Sequence, residues 1–325
     1  MKNELILDNK TSITENNKQI DVDGVIDEFV ATKRSLNTRR AYARDINDLF
    51  DSINVVTLNE LGEIPFFDLV TEIQNFLEKA TDYDKETNRP LNPKTVNRKA
   101  YSISSFFKYL MHAYNYPKNP LDQYQAHKFD RRSTTPSLTR SEVIDVINYM
   151  SKRRNKSQTA FRDYLAFCCL SVLALRRKEL VGLKWTDIDH SSSSINVFQK
   201  GGSYKLLPLP KSLLDQLNWY RDHYDHISEY IFSPVRNNSD KRLDKPLNPS
   251  YVYKLVKRIV AKVANGKHAT PHSFRKSFIE MALNNQEDFI SIINATGHST
   301  VEMVKYYDTR DTLKNNAVHG MGKLI

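Results

Sequence analysis

The chain has 325 residues, 40% hydrophobic and 26% charged, enough for a sizeable core and, by length, about two domains. Lys plus Arg outnumber Asp plus Glu by 48 to 38, giving a net charge of +10 and a pI near 9.3, a balance that points to a polyanion, nucleic acid ahead of an acidic membrane surface. The two cysteines, Cys168 and Cys169, are adjacent, which argues against a disulfide framework or a cysteine metal site, and a cytoplasmic, membrane-free protein is expected because Met1–Lys10 lacks a signal-peptide pattern and the longest apolar run, Tyr164–Leu175, has 12 residues.

Residues 1–20 are polar and read as a flexible tail. A helical domain is expected over 21–116. Its pattern begins at Val22, and Tyr42, Ile46, Leu49, Phe50 and Ile53 then form the stripe of a helix started near Asn37-Thr38. Leu69, Val70, Ile73, Phe76 and Leu77 mark a third helix. Asn92-Pro93 starts a long fourth, whose buried face is Val96, Ala100, Ile103, Phe107, Leu110 and Tyr114. Arg39, Arg40, Arg44, Lys94, Arg98 and Lys99 cluster at two of these helix starts. Such charges are commonly a solvated face, but placed there they can also grip backbone phosphates while the helices lie in a groove.

Residues 117–137 contain three prolines and no periodicity, and read as a linker in which Lys128, Arg131 and Arg132 can track a phosphate backbone. Thr139 with Glu142 forms a capping box that opens a second domain over 138–325. A buried helix at 158–175 leads to Leu175-Arg176-Arg177-Lys178-Glu179-Leu180 and Leu183-Lys184-Trp185-Thr186-Asp187-Ile188-Asp189. Ile195–Phe198 and Tyr204–Leu207 read as strands joined by Lys200-Gly201-Gly202-Ser203, a hairpin with a basic tip. Helices follow near 211–224 and from Asn248-Pro249 to Ala264. Asp187 and Asp189 read as turn residues before the hairpin rather than metal ligands.

The stretch Thr270–Tyr307 is the densest in chemistry. Thr270-Pro271 is a helix start, placing His272 and Arg275 on one face of a first turn whose free N–H groups suit a phosphate. A helix over Glu287–Ala295 ends at Gly297, so His298 lies just beyond it. Ser299 with Glu302 reads as a capping box opening a short helix toward Tyr306 and Tyr307. Taken singly, each such residue is more often a cap, a solvated charge or packing.

Six positions in order, Arg176, Lys200, His272, Arg275, His298 and Tyr307, resemble the catalytic series of the tyrosine recombinases. Ala174-Leu175-Arg176-Arg177-Lys178-Glu179-Leu180 is similar to the family's arginine box, Lys200-Gly201 before Leu207-Pro208-Leu209 to its hairpin lysine segment, His272-Ser273-Phe274-Arg275 to its His-x-Leu-Arg box, and Gly297-His298 with a tyrosine nine residues on to its last box. Asn37–Asp45 and Asn92–Leu110 look like its core-binding helices. Two positions depart: Ala174 stands where Gly is common, and Lys276 where a second His often follows the Arg.

The resemblance implies a mainly α architecture: a helical SAM-like core-binding domain, then an α-rich catalytic domain with a small antiparallel β-sheet, the DNA breaking-rejoining enzyme fold. It implies a site-specific recombinase in which Tyr307 attacks a phosphodiester to leave a 3′-phosphotyrosyl bond, Arg176, Arg275 and His298 stabilise the charged transition state, Lys200 protonates the leaving 5′-oxygen, and His272 accepts a proton or orients. Glu179 is expected to brace Arg176. The scheme requires no metal or other cofactor. The implied partners are a double-stranded recombination site and three further copies, as a homo-tetramer on two sites, with integration, excision, dimer resolution and an accessory protein all left open. A catalytically inactive DNA-binding regulator, a metal-dependent nuclease or transposase, and a type IB topoisomerase-like enzyme are the alternatives.

Overall fold

The computed structural model describes residues 20–82, 91–128, 135–199, 201–224, 228–235 and 244–308. Two compact units, residues 1–130 and 131–325, each enclose their own core.

The first unit comprises α1 (Val22–Ala31), α2 (Leu36–Ile53), α3 (Leu58–Glu63), α4 (Phe66–Asp82) and α5 (Pro93–Ala113). Periodicity predicts four of these. The fifth, α3, is too short to show an apolar stripe, and its sequence signal is instead a capping box: the Thr57 hydroxyl accepts from the Glu60 amide at 3.2 Å and the Glu60 carboxylate accepts from the Thr57 amide at 3.1 Å. The predicted stripes are buried except at Val70, which is half-buried and outside the core, with Ile46, Leu49, Phe50, Leu69, Ile73, Leu77, Val96, Ala100, Ile103, Phe107 and Leu110 in the core and Tyr42, Ile53, Phe76 and Tyr114 at its margin. Phe106 joins them, packing edge-on against Phe29 and Phe50 with ring centroids 5.4 and 5.7 Å away.

The expected linker is not all free chain. Within it, Leu121 is buried in this core. The buried Asn97 amide donates to the His127 carbonyl at 3.0 Å and its oxygen accepts from the His127 amide at 2.9 Å and the Tyr124 hydroxyl at 3.0 Å. A buried amide needs such partners, and Asn97 finds them by drawing in residues 124–127. That tie runs through one side chain, so periodicity does not reveal it.

The basic residues separate into two kinds. Arg40, Arg44 and Lys94 are exposed, while Arg39 is half-buried and donates to the Lys33 carbonyl at 2.6 Å. Arg98 and Lys99 instead meet acids on α2. Asp45 is fully buried, pairs with Arg98, accepts from Ser102 at 3.1 Å and lies 3.5 Å from the Lys99 ammonium. Lys99 is only 7% exposed and donates to Asp48 at 2.6 Å, so it stands in an ion-paired seam between α2 and α5 rather than on an open basic face. Arg131 and Arg132 lie outside the described residues.

The second unit contains α6 (Arg140–Ser151), α7 (Gln158–Val172), α8 (Arg177–Gly182), an antiparallel sheet of β1 (Ile188–Asp189), β2 (Ser194–Phe198) and β3 (Tyr204–Pro208), then α9 (Lys211–His223), α10 (Pro249–Val263), α11 (Pro271–Asn284), α12 (Phe289–Thr296) and α13 (Val301–Lys305). The strand order is β1-β2-β3, so the expected hairpin gains a third short strand and Asp189 belongs to it. Its carboxylate accepts from the hydroxyls of Ser191 and Ser192 in the following turn. α7 supplies Phe161, Leu165, Phe167 and Leu170 to the core. In the sheet, Ile195, Val197 and Leu207 face inward while Phe198, Tyr204 and Leu206 are exposed. Val197 pairs with Lys205, which puts a lysine on the buried face beside Leu207. A satellite core of Ile279, Leu283, Ile292, Val304 and Tyr307 ties α11, α12 and α13 together. Among the described residues, no helix is long and apolar enough to cross a membrane.

Removing one member of a buried charge network leaves the others without compensation, which typically costs about 3 kcal/mol. Asp45→Ala is therefore expected to lower the unfolding free energy of the first unit by about that amount, read as a fall in the urea midpoint of about 1–3 M at unchanged slope. An unmoved midpoint would show that the seam carries no net stability.

Candidate active site

Helix α12 ends where Gly297 adopts a left-handed conformation, φ 66°, with its amide donating to the Ile293 carbonyl at 2.6 Å. The last carbonyls of a helix have no partner within it, and they lie at the negative end of its dipole. Here three in a row each take a different cation. Ala295 O accepts from the Lys205 ammonium at 2.9 Å, Thr296 O from Arg275 Nη2, and Gly297 O from Arg176 Nη2 at 3.3 Å. These side chains come from β3, from α11 and from the residue that caps α8. A helix end thereby gathers charges separated by up to about a hundred residues of chain.

Glu179 fixes Arg176 as expected. Its Oε1 accepts from Arg176 Nη1 at 2.7 Å and its Oε2 from the Arg176 amide at 2.8 Å, leaving the guanidinium about one-third exposed. Arg275 is 1% exposed, donates from Nη1 to the Ala174 carbonyl at 2.7 Å, and is lowered to about 10 by burial and by the charge of Arg176. Ala174 has φ 48°, a left-handed conformation that explains why glycine suits this position. Lys205 lies 3.8 Å from Glu179. Burial lowers its pKa to about 8, Glu179 opposing and Arg275 and Arg176 adding to the shift.

His272 and Arg275 both sit in the first turns of α11, after Thr270 and Pro271, and the Ser273 hydroxyl accepts from the Thr270 amide at 3.0 Å. His272 Nε2 is 3.2 Å from the Tyr307 hydroxyl. His272 remains exposed as a residue, yet desolvation of its imidazole and the charges of Arg275, Arg176 and Lys276 lower its pKa, which favours the neutral ring. His298 is 7% exposed, its ring lies 5.8 Å from that of Tyr307, and its Nε2 is 3.3 Å from Arg275 Nη2. Burial first, then Arg275, Arg176, His272 and Lys205, push it down to about 3. Tyr307 follows α13, whose cap is Thr300 rather than the expected Ser299: the Thr300 hydroxyl accepts from the Met303 amide. Burial raises the Tyr307 phenol, with Arg275 and Arg176 opposing. Tyr306 packs edge-on against it at 5.2 Å, so the hydroxyl turned to His272 is that of Tyr307.

Five of the six expected positions, Arg176, His272, Arg275, His298 and Tyr307, thus form one continuous set of contacts. The sixth, Lys200, lies outside the described residues, though its neighbour Gln199 is half-buried and sits so close over Gly297 that a methyl group there would collide with its amide. Lys205, Gln199 and Thr296 escape a motif-based reading. For Lys205 the signal was present, since it alternates in phase with Leu207 on a strand with a buried face. Among the described residues no group of three or more His, Cys, Asp or Glu side chains is arranged to hold a metal ion.

The model of the phage integrase family matches residues 136–313. A tyrosine recombinase of Agathobacter rectalis is 25% identical over 304 residues, covering 90% of this chain and 92% of that one. Tyrosine recombinase XerD of Listeria monocytogenes is 26% identical over 285 residues, 86% of this chain and 90% of its own. In fold, the chain is similar to the Tn1549 transposon integrase in complex with transposon right end DNA, with a TM-score of 0.66, 18% identity and coverage of 94% and 99%. A lambda integrase dimer bound to a core site gives 0.65, 18%, 93% and 80%.

The depressed His298 pKa fixes the sign of an acid effect. Below an ordinary imidazole value near 6.5 the unfolded chain binds a proton that folded His298 refuses down to about 3, so stability falls across that window as pH is lowered. Denaturation midpoints at pH 7 and pH 5 are expected to differ more for the wild type than for His298→Asn. Equal differences would mean that the ring is not held neutral.

Proposed function

Because the chain belongs to the phage integrase family of tyrosine recombinases, we propose that it is a site-specific DNA recombinase that cleaves and rejoins strands through a 3′-phosphotyrosyl intermediate. The observation that carries this reading is the Tyr307 hydroxyl, 3.2 Å from His272 Nε2 and beside the His298 ring that Arg275 contacts.

The chemistry follows from the free-state charges. A buried phenol is protonated at neutral pH and needs a base, and His272, held neutral, offers a lone pair at Nε2. Tyr307 Oη attacks phosphorus as its proton passes to His272. The bond from phosphorus to the 5′-oxygen breaks, and Lys200 supplies the proton that oxygen takes. Arg176 and Arg275 face the two non-bridging oxygens, where negative charge grows. The covalent link retains the energy of the phosphodiester, so a 5′-hydroxyl from a second strand can reverse the step without a nucleotide cofactor.

The helical first unit binds the same duplex through its exposed cations Arg40, Arg44 and Lys94. The protein acts as a homo-tetramer on two recombination sites, in the cytoplasm. The similarity to integrases and Xer recombinases supports these assignments, and leaves integration, excision and dimer resolution as equal outcomes of one reaction.

Incubation with a nicked suicide duplex carrying the recombination site, followed by a denaturing gel, tests the chemistry. Wild type and Tyr306→Phe are expected to form a covalent adduct and Tyr307→Phe none, while Arg275→Ala should slow cleavage by roughly 10²–10³. An adduct formed by Tyr307→Phe would sink the mechanism.

Salt dependence tests the DNA contacts. Each phosphate-bound cation contributes about 0.9 to the slope of log affinity against log salt. Neutralising Arg40, Arg44 and Lys94 together should therefore flatten that slope by roughly 2.7. An unchanged slope would remove these three residues from the interface.

A further inference from the structure

Thr296, the last residue of α12, is fully buried, and its hydroxyl has two close partners. One is the Ile292 carbonyl at 2.6 Å, and the other is His298 Nδ1 at 2.9 Å. A hydroxyl has one proton to give. A carbonyl can only accept, so the Thr296 proton goes to Ile292 and the hydroxyl oxygen must accept from His298 Nδ1.

The other side of the ring imposes the same answer independently. His298 Nε2 is 3.3 Å from Arg275 Nη2, and a guanidinium nitrogen can only donate. Nε2 must therefore carry a lone pair. Arg275, His298, Thr296 and Ile292 then form a relay in which every proton points toward the backbone of α12.

Resting on the recombinase reading, we infer that Thr296 is a positioning residue for strand cleavage: together with Arg275 it holds His298 as the Nδ1–H tautomer, so that Nε2 is the nitrogen presented to the DNA phosphate and donates to it only after taking a proton from solvent water, as Arg275 Nη2 leaves it for the phosphate. In the neutral ring Nε2 serves as an acceptor that steadies Arg275. The Nδ1 proton stays committed to Thr296 and does not compete for the phosphate. The second nitrogen's hydrogen bond sets a histidine's tautomer and ring angle in the same way at other catalytic sites. Loss of such an orienting partner typically costs roughly 10-fold or more in activity.

The test uses the full chain with 15N-labelled histidine. In the wild type without DNA, His298 is expected to show a protonated Nδ1 and an unprotonated Nε2. Thr296→Val keeps the shape of the side chain and removes the acceptor. With its acceptor gone and Nε2 still facing Arg275, the Nδ1–H should lose its hydrogen bond and shift the His298 nitrogen signals, and single-turnover cleavage of the suicide duplex should slow by roughly 10-fold at saturating protein, with DNA affinity unchanged. Thr296→Ser should restore both the nitrogen signals and the rate. A wild-type ring protonated at Nε2 overturns the inference whatever the variants do, and so does a Thr296→Val protein with wild-type signals and rate, or a Thr296→Ser protein that rescues neither. If no protein, wild type included, forms an adduct, the recombinase reading fails while the nitrogen signals still decide the tautomer.

Discussion

The carbonyl end of one eight-residue helix organises the whole site. Helix α12 stops at Gly297, and the three carbonyls it leaves unpaired are taken by Lys205, Arg275 and Arg176. A helix end is a fixed array of partial negative charge, so it can hold cations at set spacing without introducing a carboxylate that would repel a phosphate. Glu179, the one carboxylate in the cluster among the described residues, is 5% exposed and binds the backbone and one arm of Arg176. The left-handed turn at Gly297 then delivers His298 directly from the same helix end.

Concentrating positive charge among poorly solvated side chains shifts their protonation. Arg275, Lys205, His272 and His298 are all shifted toward their less charged forms, with desolvation the first cause and the arginines adding to it. The site is therefore under electrostatic tension that a phosphate bound as proposed would relieve. The same tension favours neutral histidines, as the proton-accepting role proposed for His272 requires. Satellite packing holds the proposed nucleophile in place, since the Tyr307 ring belongs to the small core shared by α11, α12 and α13 while its hydroxyl reaches His272.

The first unit shows the limits of reading charge from sequence. Arg98 and Lys99 follow the same helix start as Lys94, and nothing local distinguishes them. Their different fates depend on Asp45 and Asp48, some fifty residues earlier on α2, which the packing of α2 against α5 brings into reach. Asn97 gives a second case, drawing residues 124–127 onto the unit through amide bonds that leave no periodic trace.

Local rules determined what lies close in sequence. Apolar stripes predicted the long helices, Thr139 and Glu142 a helix start, Gly297 a helix end, and the order of the boxes the family and five residues that meet in one set of contacts. Spacing also placed Glu179 beside Arg176, one turn away. The tertiary structure alone decided which cations are exposed and which are drawn into ion pairs, that Lys205 points inward at the helix end, that Tyr307 rather than Tyr306 faces His272, and that Thr296 and Arg275 together dictate where the His298 proton sits. The reason is physical: capping and periodicity act within a few residues, whereas burial, ion pairing and tautomer depend on groups that only folding brings within about 4 Å.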